Sequence, residues 1–325
     1  MRAKILSTGS YIPERVITNF DLEKMVDTSD EWITERTGIK ERRIVADNQA
    51  TSDLAYEASI NALKKAGLTS QDIDLIIVAT VTPDMLVPSA ACILQMKLGA
   101  SKAVAFDING ACTGFIYALS VAEKFIRTGA AKRALVVGAE TLSRFTDWTD
   151  RSICVLLADG AGAVILEGTK KDEGIKVIDI FSDGNMWDFI HMPAGGSKMP
   201  VDETVLKKRL NFIKMRGNET FKVAVKTLEE VVVATLQKGG IESSQLNLLV
   251  PHQANIRIIQ AMAKRLSLPM EKVMVNIDKY GNTSAASIPI ALDEANESGK
   301  IKKGDNVMLA AFGAGLTWGA ALIKW

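Results

Sequence analysis

The sequence repeats itself once, and this repeat restricts the fold more than any other feature. Residues 62–77 (ALKKAGLTSQDIDLII) match residues 235–250 (TLQKGGIESSQLNLLV) without a gap, at an offset of 173. Helix–glycine–strand units resemble one another, so a single match of this kind can also arise by chance. We interpret the match as a duplication and place the two halves at residues 1–170 and 171–325.

The rest of the chain alternates between apolar, β-branched runs and amphipathic helical patterns. Residues 52–67 and 112–129 are predicted as helices that end at a glycine. Asp159 and Gly160 are predicted as a hairpin turn between two strands. Buried strands are predicted at residues 74–80, 103–108, 134–140 and 153–158. This alternation predicts an α/β protein with buried sheets.

Composition excludes several classes of function. The net charge is +1 and both signs are interspersed, which argues against a nucleic-acid-binding protein. The first residues, MRAKILSTGSYIPERV, lack the apolar core of a signal peptide. No apolar run reaches the roughly 18 residues of a membrane span, so we expect a cytoplasmic protein without membrane contact. Three widely spaced cysteines predict neither a disulfide framework nor a metal site.

One cysteine lies where a nucleophile would be placed. Cys112 stands in DINGACTGF, between a predicted strand and a predicted helix. A thiol at a helix N-terminus is close to the positive end of the helix dipole, which favours the thiolate. Buried free cysteines are also common core residues, and position alone favours that interpretation. Cys92 and Cys154 lie inside apolar runs, and we interpret both as core residues.

Two further polar residues follow strands or open helices in the second half. His252 follows a predicted strand in LLVPHQANIRII, and Asn282 precedes a predicted helix in KYGNTSAASIPIAL. Taken singly, His252 could be a core histidine with its hydrogen bonds satisfied, and Asn282 could belong to an ordinary helix-capping turn. The offset of the repeat carries Asn282 onto Asn109, three residues before Cys112. The two turns therefore occupy equivalent places in the two halves.

A set of Cys, His and Asn suits acyl transfer. The thiolate attacks a thioester carbonyl, and His and Asn donate hydrogen bonds to the developing oxyanion or enolate. Thiol proteases use the same residue types, with Cys and His about 130–150 residues apart. Cys112 and His252 have a similar separation, but the CGSCW context of those proteases and a signal peptide are absent. A thiol protease is therefore a weak alternative.

Five stretches resemble the β-ketoacyl-acyl carrier protein synthase III family: DINGACTGF, VPHQANIRI, YGNTSAASIPIALDEA, SDEWITERTGIKERR and AFGAGLTWGAALI. The resemblance runs from about residue 5 to the C-terminus and is least clear at 182–210. It implies a thiolase-like α/β fold, with two pseudo-duplicated halves in a five-layer αβαβα arrangement. It also implies a homodimeric acyltransferase without a cofactor, which starts type II fatty acid synthesis.

The resemblance assigns the chemistry to particular residues. Acyl-CoA, with acetyl-CoA as the expected primer, acylates Cys112. His252 and Asn282 then promote a decarboxylative Claisen condensation with malonyl-acyl carrier protein, which gives 3-oxoacyl-acyl carrier protein, CoA and CO₂. The N–H of Ala314 would complete the oxyanion hole with that of Cys112, and Phe312 would crowd the malonyl carboxylate.

A CoA site is implied in the same way. Trp32 and Arg36 are four residues apart, which places them on one helix face, and Thr28 and Glu31 have capping-box spacing for that helix. On these residues alone, a core Trp beside a solvated Arg is the more ordinary interpretation. In the resembling family, adenine lies between this Trp and an Arg that matches Arg151. The implied CoA-binding residues are Thr28, Trp32, Arg36, Arg151, Gly217, Asn218, Phe221 and Asn255.

Other positions concern partners and specificity. Arg257, Lys264 and Arg265 lie on one predicted helix, which is usually just a solvated face, but the resemblance implies that carrier protein docks there. Val87 of a partner subunit and Leu142 would shape the acyl pocket. Val87 stands where a bulky aromatic residue can restrict the pocket to acetyl groups, so longer or branched primers are also conceivable.

Segment 182–216 mixes glycine, proline, charge and aromatic residues, and we expect it to cross the surface and cover the site. Two other functions stay open. One is a related acyltransferase of secondary metabolism, which passes the acyl group from Cys112 to an acceptor other than a carrier protein. The other is a non-catalytic subunit of a condensing complex, which the intact Cys112, His252 and Asn282 argue against.

Overall fold

The computed structural model describes residues 1–325. Its strands are β1 (Arg2–Tyr11), β2 (Arg15–Thr18), β3 (Glu41–Ile44), β4 (Leu75–Ala79), β5 (Val104–Ile108), β6 (Arg133–Thr141), β7 (Asp159–Thr169), β8 (Gly174–Ser182), β9 (Ile190–His191), β10 (Lys214–Met215), β11 (Leu248–Pro251), β12 (Asn306–Gly313) and β13 (Thr317–Lys324). Its helices are α1 (Asn19–Glu23), α2 (Asp30–Thr37), α3 (Thr51–Ala66), α4 (Ala90–Leu98), α5 (Gly114–Thr128), α6 (Arg151–Cys154), α7 (Glu203–Lys207), α8 (Gly217–Gly239), α9 (Ile256–Arg265), α10 (Ile277–Tyr280) and α11 (Ser287–Glu297).

Two sheets share one strand order. The first runs β1-β7-β6-β4-β5, and the second runs β8-β13-β12-β11 in the matching positions. In each sheet the central strand pairs with one neighbour in parallel and with the other antiparallel. A parallel bridge from Leu249 to Val273 stands where β5 stands in the first sheet. The fold therefore consists of two duplicated halves, as the repeat predicted.

The backbone repeats in detail at the same offset. Gly67 and Gly240 end α3 and α8 with φ values of 66° and 67°. Ala111 and Ser284, which are also 173 residues apart, have φ values of 46° and 48° in the turns that lead into α5 and α11. Left-handed backbone is costly for residues other than glycine. Its recurrence at equivalent positions argues against chance similarity.

Alternating burial along the strands divides the molecule into five layers. In β4, Leu75, Ile77 and Ala79 belong to a core shared with α5 and α11, whereas Ile76 and Val78 pack on the side of α3 and α4. In the second sheet, inward residues pack in that same central core, and outward residues pack on α8 and α9. The layers are thus α3/α4, sheet, α5/α11, sheet and α8/α9, which confirms the predicted five-layer arrangement.

The predicted strand at 153–158 is wrong. Arg151–Cys154 forms the short helix α6, which begins where the Asp150 side chain accepts a hydrogen bond from Ser152 N. Asp159 and Gly160 form no hairpin turn, since both lie in β7. The buried Asp159 carboxylate accepts hydrogen bonds from Ser143 N at 2.8 Å and Val45 N at 2.7 Å. Local turn preferences do not reveal these hydrogen bonds, because they join Asp159 to residues distant in the sequence.

The bounds of the other predicted elements are confirmed within a residue or two, and α3 and α5 end at glycines with positive φ. The predicted burial of the strand at 103–108 is wrong, because β5 lies at the edge of its sheet and Val104 is exposed. The proposed boundary between the halves falls between the end of β7 at Thr169 and the start of β8 at Gly174, and stays a prediction. None of the helices combines the length and the apolar character that crossing a bilayer requires.

Candidate active site

Cys112 lies at a close contact between the two halves. It is the middle residue of a 3-10 turn, Ala111–Thr113, between β5 and α5. The end of β12 packs against this turn: a Cβ on Gly313 would lie 2.7 Å from the backbone N of Cys112. Only glycine permits that approach. The first half therefore supplies the thiol, and a strand of the second half closes over its backbone.

A cavity of about 400 Å³ opens onto this cysteine. It brings Cys112 together with Asn282, Ala314 and Leu142, and most of its lining is apolar. The excursion at 182–216 supplies six further lining residues: Trp187, Ile190, His191, Met192, Ile213 and Met215. The excursion therefore covers the site, as predicted. Pockets of this size with few polar groups are typical of ligand sites.

His252 and Phe312 are buried and do not line this cavity. His252 directly follows β11, and its backbone N donates to Ala310 O of β12 at 2.8 Å. Its Nδ1 lies 2.6 Å from Ser287 Oγ, which also accepts from Gln253 N at 3.4 Å. Ser287 is then free to donate its hydroxyl proton to Nδ1, which leaves the proton of a neutral imidazole on Nε2.

Burial also fixes the charge of His252. Its pKa falls to about 3, because desolvation penalises the imidazolium. The side chain is therefore a neutral hydrogen-bond donor through Nε2 and a weak base near neutral pH. A histidine in this state is suited to polarising a carbonyl rather than to removing a proton.

The amide of Asn282 is oriented by its own turn. Its Oδ1 accepts from Ser284 N at 2.9 Å. Its backbone is fixed on both sides, since Asn282 N donates to Leu156 O and Ala158 N donates to Asn282 O, each at 2.9 Å. With the oxygen occupied, the two N–H groups of Nδ2 remain available in the cavity. Asn282 is thus a second preorganised donor.

The state of Cys112 differs from the sequence-based expectation. We expected a helix N-terminus to favour the thiolate, but α5 begins two residues later, at Gly114. Although the cavity reaches Cys112, the protein around it desolvates the thiol and raises its pKa to about 11. A hydrogen bond with Ser284 Oγ, at 3.3 Å from Sγ, opposes this shift but does not outweigh it. The resting side chain is a neutral thiol.

One titratable residue near Cys112 escaped the sequence reasoning. Glu140 is buried at the end of β6, and burial raises its pKa to about 7. Its carboxylate accepts from Thr82 Oγ1 at 2.6 Å, Val81 N at 3.1 Å and Thr80 Oγ1 at 3.2 Å. The signal in the sequence is an acidic residue after the apolar run ALVVGA, at the carboxyl end of a predicted strand.

Around Trp32 the structure assembles a cationic and aromatic surface. The guanidinium of Arg36 lies 5.1 Å from the ring centroid, and that of Arg151 lies 4.8 Å from it. Arg151 also donates to Asp27 O at 2.7 Å. The predicted capping box at Thr28 is wrong. Since α2 begins at Asp30, Ser29 is the residue at the N-cap, and its Oγ accepts a hydrogen bond from Trp32 N at 3.1 Å.

The remaining predicted CoA residues connect to this surface through α9. Asn255 caps α9 and donates from Nδ2 to Arg36 O at 3.0 Å. The guanidinium of Arg257, next along α9, lies 5.6 Å from the ring centroid of Phe221. Gly217 and Asn218 are exposed in the first turn of α8, near Phe221. The side-chain oxygen of Thr28 is buried without a hydrogen-bond partner.

The positions predicted for partners divide into two groups. Arg257 and Lys264 are exposed on α9, whereas Arg265 is already paired with Glu229 of α8. Leu142 lines the cavity. Val87 does not: it is 82% exposed and lies beside the 84% exposed Leu86. In a single chain, therefore, Val87 does not shape the cavity at Cys112.

Comparisons with known proteins identify the family of this chain. The family described as 3-oxoacyl-[acyl-carrier-protein] synthase III matches residues 106–184, and its C-terminal family matches residues 236–325. A β-ketoacyl-[acyl-carrier-protein] synthase III from Caldanaerobacter subterraneus subsp. tengcongensis is 55% identical over 323 residues, which is 99% of this chain and 98% of that protein. The chain belongs to the β-ketoacyl-acyl carrier protein synthase III family. It is therefore an acyltransferase of the condensing type, in a family of fatty acid synthesis.

Solved structures extend the comparison to the fold. The crystal structure of 3-oxoacyl-[acyl-carrier-protein] synthase III from Aquifex aeolicus is 50% identical, with a TM-score of 0.92, and the match covers 99% of this chain and 100% of that one. The priming β-ketosynthase of the R1128 polyketide pathway is 32% identical, with a TM-score of 0.92 over 99% of this chain and 96% of that one. The fold is thus the thiolase fold of this family.

The depressed pKa of His252 predicts a pH dependence of stability. Because the unfolded histidine titrates at its usual 6.5 and the folded one at about 3, the unfolded state binds the extra proton between these values. The contribution of neutral His252 to the free energy of unfolding is complete above pH 6.5 and is lost as pH falls toward 3. Between pH 7.5 and pH 5 the free energy of unfolding of the wild type should fall by about 2 kcal/mol more than that of a His252→Gln variant.

Urea denaturation of both proteins at pH 7.5 and pH 5 measures this difference. All other titrating groups, including Glu140, are common to the two proteins and cancel. Equal pH dependence in the wild type and His252→Gln would contradict a buried neutral imidazole.

Proposed function

We propose that the first half-reaction is acylation of Cys112 by an acyl-CoA, with acetyl-CoA as the expected primer. The Cys112 sulfur attacks the thioester carbonyl, and CoA leaves as its thiol. The N–H groups of Cys112 and Ala314 would receive the oxyanion. Gly313 packs on the N of Cys112, and the next residue, Ala314, lines the same cavity without left-handed backbone. An ordinary alanine backbone can therefore present its N–H there.

The second half-reaction is a decarboxylative condensation with malonyl-acyl carrier protein. Nε2–H of His252 and the Nδ2 group of Asn282 donate to the malonyl thioester carbonyl. The C–C bond to the carboxylate breaks, CO₂ leaves, and the resulting enolate is stabilised by those two donors. Its carbon attacks the acyl carbonyl on Cys112, and the thiol is released with 3-oxoacyl-acyl carrier protein. The convergence of Cys112, Asn282 and Ala314 on one apolar cavity carries this proposal.

The electrostatics of the site support decarboxylation. His252 is neutral, so it does not hold the malonyl carboxylate as an ion pair. Loss of CO₂ is favoured where the carboxylate is poorly solvated and the enolate is well hydrogen-bonded. The wall around Cys112 is mostly apolar, and Phe312 is buried at the end of β12. A carboxylate there would lack a cationic partner.

The surface around Trp32 is proposed as the adenine site of CoA. The half-buried indole offers a flat apolar face, and the exposed guanidinium groups of Arg36 and Arg151 already stack on it. An adenine ring would insert between Trp32 and Arg151, and phosphates would pair with the arginines. Asn255, Phe221, Gly217 and Asn218 would then line the path of the pantetheine arm.

Arg257 and Lys264 are proposed as the docking charges for the acidic carrier protein. Both are exposed and without a carboxylate partner, so their field extends into solvent. Arg265 contributes less in this arrangement, because Glu229 neutralises it at short range. This ranking of three basic residues on one helix comes from the geometry alone.

A homodimer is also part of the proposal. β5 is an edge strand that pairs only with β4, and Val104 on it is 59% exposed. The segment with Met85, Leu86 and Val87 exposes apolar side chains as well. Apolar surface of this extent is typical of a protein interface. A second copy would cover it and could place Val87 in the neighbouring acyl pocket.

The second candidate function, an acyltransferase of secondary metabolism, has a similar protein in a polyketide pathway. The priming β-ketosynthase of a polyketide pathway is 32% identical to this chain. Product formation with malonyl-acyl carrier protein would favour fatty acid initiation, and turnover that needs no carrier protein would favour the alternative.

The two half-reactions should respond differently to loss of the donors. We expect His252→Ala and Asn282→Ala to slow decarboxylation of malonyl-acyl carrier protein by about 100-fold or more, the usual effect of losing an oxyanion donor. Acylation of Cys112, which uses backbone donors, should slow by less than about tenfold. Radiolabelled CO₂ release and mass spectrometry of acyl-enzyme measure the two steps separately.

Asn61→Ala is the matched control, since Asn61 is exposed on α3 and bonds only to Ser10 O. It should leave both half-reactions unchanged. Equal losses of both half-reactions in the His252 and Asn282 variants would contradict the division of roles.

Charge reversal tests the docking surface. Arg257→Glu should raise KM for malonyl-acyl carrier protein by about tenfold at low salt, with a smaller effect at high salt, because an exposed charge acts through steering. Arg265→Glu should have a weaker effect. Lys64→Glu, the same change on the exposed face of α3 in the opposite outer layer, is the control. An unchanged KM in Arg257→Glu would remove α9 from the docking surface.

A further inference from the structure

The largest fully buried side chain of the protein is a charged one, that of Arg42 in β3. Its guanidinium donates to Asn19 Oδ1 at 2.9 Å, Val155 O at 2.9 Å and Ile17 O at 3.2 Å, and none of these acceptors is charged. Nε is buried without a hydrogen-bond partner. A buried cation without a carboxylate has a desolvation cost that an apolar side chain of similar volume avoids. Stability alone therefore does not explain an arginine at this position.

One end of the guanidinium is bonded to a rigid part of the first half. Arg42 stands opposite Ile17 in the pairing of β3 with β2. Asn19 is also buried, and its Nδ2 donates to Ile39 O and to Asp30 Oδ1, each at 2.8 Å. Since its partners on this side are fixed, the guanidinium can hold in place the group that is bonded to Nη2.

The group bonded to Nη2 belongs to the segment that holds Asn282. Nη2 of Arg42 donates to Val155 O. The next residue, Leu156, accepts a hydrogen bond from Asn282 N, and Ala158 N donates to Asn282 O, each at 2.9 Å. Both backbone hydrogen bonds of Asn282 are therefore made to the segment that Arg42 holds.

The aliphatic part of Arg42 also lies close to the residue before Asn282. Gly281 has a φ of 66°, and a Cβ on it would lie 3.3 Å from Arg42 Cβ and 3.1 Å from Leu156 O. No side chain fits between these groups without displacing them. Arg42 is thus next to both stretches of backbone that set the position of Asn282.

We propose that Arg42 is a positioning residue for Asn282, which fixes the Asn282 amide so that its Nδ2 group donates into the cavity. This inference rests on the proposed function and adds a residue that acts through Asn282 in the second half-reaction. Arg42 does not line the cavity, so it affects the reaction only through the residues that it holds. A displacement of about 1 Å at a reacting centre can slow a reaction by about 100-fold.

The turn that carries Cys112 is held by other contacts. Thr113 Oγ1 donates to Thr317 O at 3.1 Å, and Thr317 Oγ1 donates to Gly110 O at 3.0 Å. These hydrogen bonds join the turn to β13 and do not involve Arg42. Loss of Arg42 should therefore impair decarboxylation and leave acylation of the thiol intact.

Two variants of Arg42 test the proposal. Arg42→Met has a similar length and leaves Val155 O without its donor. Arg42→Lys keeps the charge, but one ammonium group does not reproduce the planar fork that joins Asn19 to Val155, and this variant keeps the proposal testable if Arg42→Met does not fold. The matched control is Arg133→Met, which removes an arginine bonded to Glu167 at the start of β6. Thermal unfolding verifies that each variant is folded.

The two half-reactions are measured separately, as CO₂ release from malonyl-acyl carrier protein and as acylation of Cys112 by acetyl-CoA. Arg42→Met should slow CO₂ release by about tenfold or more and Arg42→Lys by about threefold or more, whereas acylation should change by less than about threefold. In an Asn282→Ala background, Arg42→Met should slow CO₂ release no further, because a residue that acts through Asn282 has no effect once the amide is removed. Arg133→Met should match the wild type in both steps. Additive losses in the double variant, or equal losses of both half-reactions, would overturn the proposal.

Amide hydrogen exchange measures the positioning without any substrate. Relative to the N–H groups of β4, the N–H groups of Asn282 and Ala158 should exchange at least about tenfold faster in Arg42→Met than in the wild type. An unchanged rate at these two amides, or an equal increase in β4, would also overturn the proposal. If the wild type releases no CO₂ but the two amides exchange faster in Arg42→Met, the proposed function is refuted and the positioning role is supported.

Discussion

The structure depends on two close approaches between strand and turn, one from each half. Gly138 of β6 packs on the carbonyl of Ala285, and Gly313 of β12 packs on the backbone N of Cys112. Ala285 and Cys112 are equivalent residues under the repeat, so each half presses a central strand on the turn of the other. Side chains at either glycine would separate the halves. This contact brings the residues of both halves to one cavity.

That reciprocal contact also sets the chemistry of the site. Burial between two sheets keeps Cys112 as a thiol, His252 as a neutral imidazole and Glu140 as a carboxyl with a raised pKa. Each state follows from desolvation, which is the largest influence on all three groups. Donors fixed by the backbone do not need to reorganise when negative charge develops on a substrate. The duplicated fold thus holds hydrogen-bond donors in fixed positions within a buried site of low dielectric constant.

Much of this could be predicted from the sequence, because duplication and apolar alternation are local patterns. The repeat gave the two halves, and the motif residues Cys112 and Asn282 do meet in one cavity. The strand at 153–158 was wrong because the Asp150 side chain caps a short helix there. The hairpin at Asp159 and the cap at Thr28 were wrong because tertiary hydrogen bonds hold Asp159 and the Ser29 side chain caps α2. Glu140 was missed because its importance arises from burial, which local patterns do not show. Residue roles at the CoA and docking surfaces, cofactor independence and the dimer stay predictions.

The most direct test of the account is whether Cys112 carries the acyl group. The protein is incubated with acetyl-, isobutyryl- or octanoyl-CoA, and intact and peptide masses are measured beside a Cys112→Ala control. The account predicts one acyl group on the peptide that contains Cys112, absent in the control. An adduct that forms only with a longer or branched acyl-CoA would change the identity of the primer but leave the mechanism unchanged. No adduct with any acyl-CoA, or an adduct that persists in Cys112→Ala, would contradict the assignment of the nucleophile.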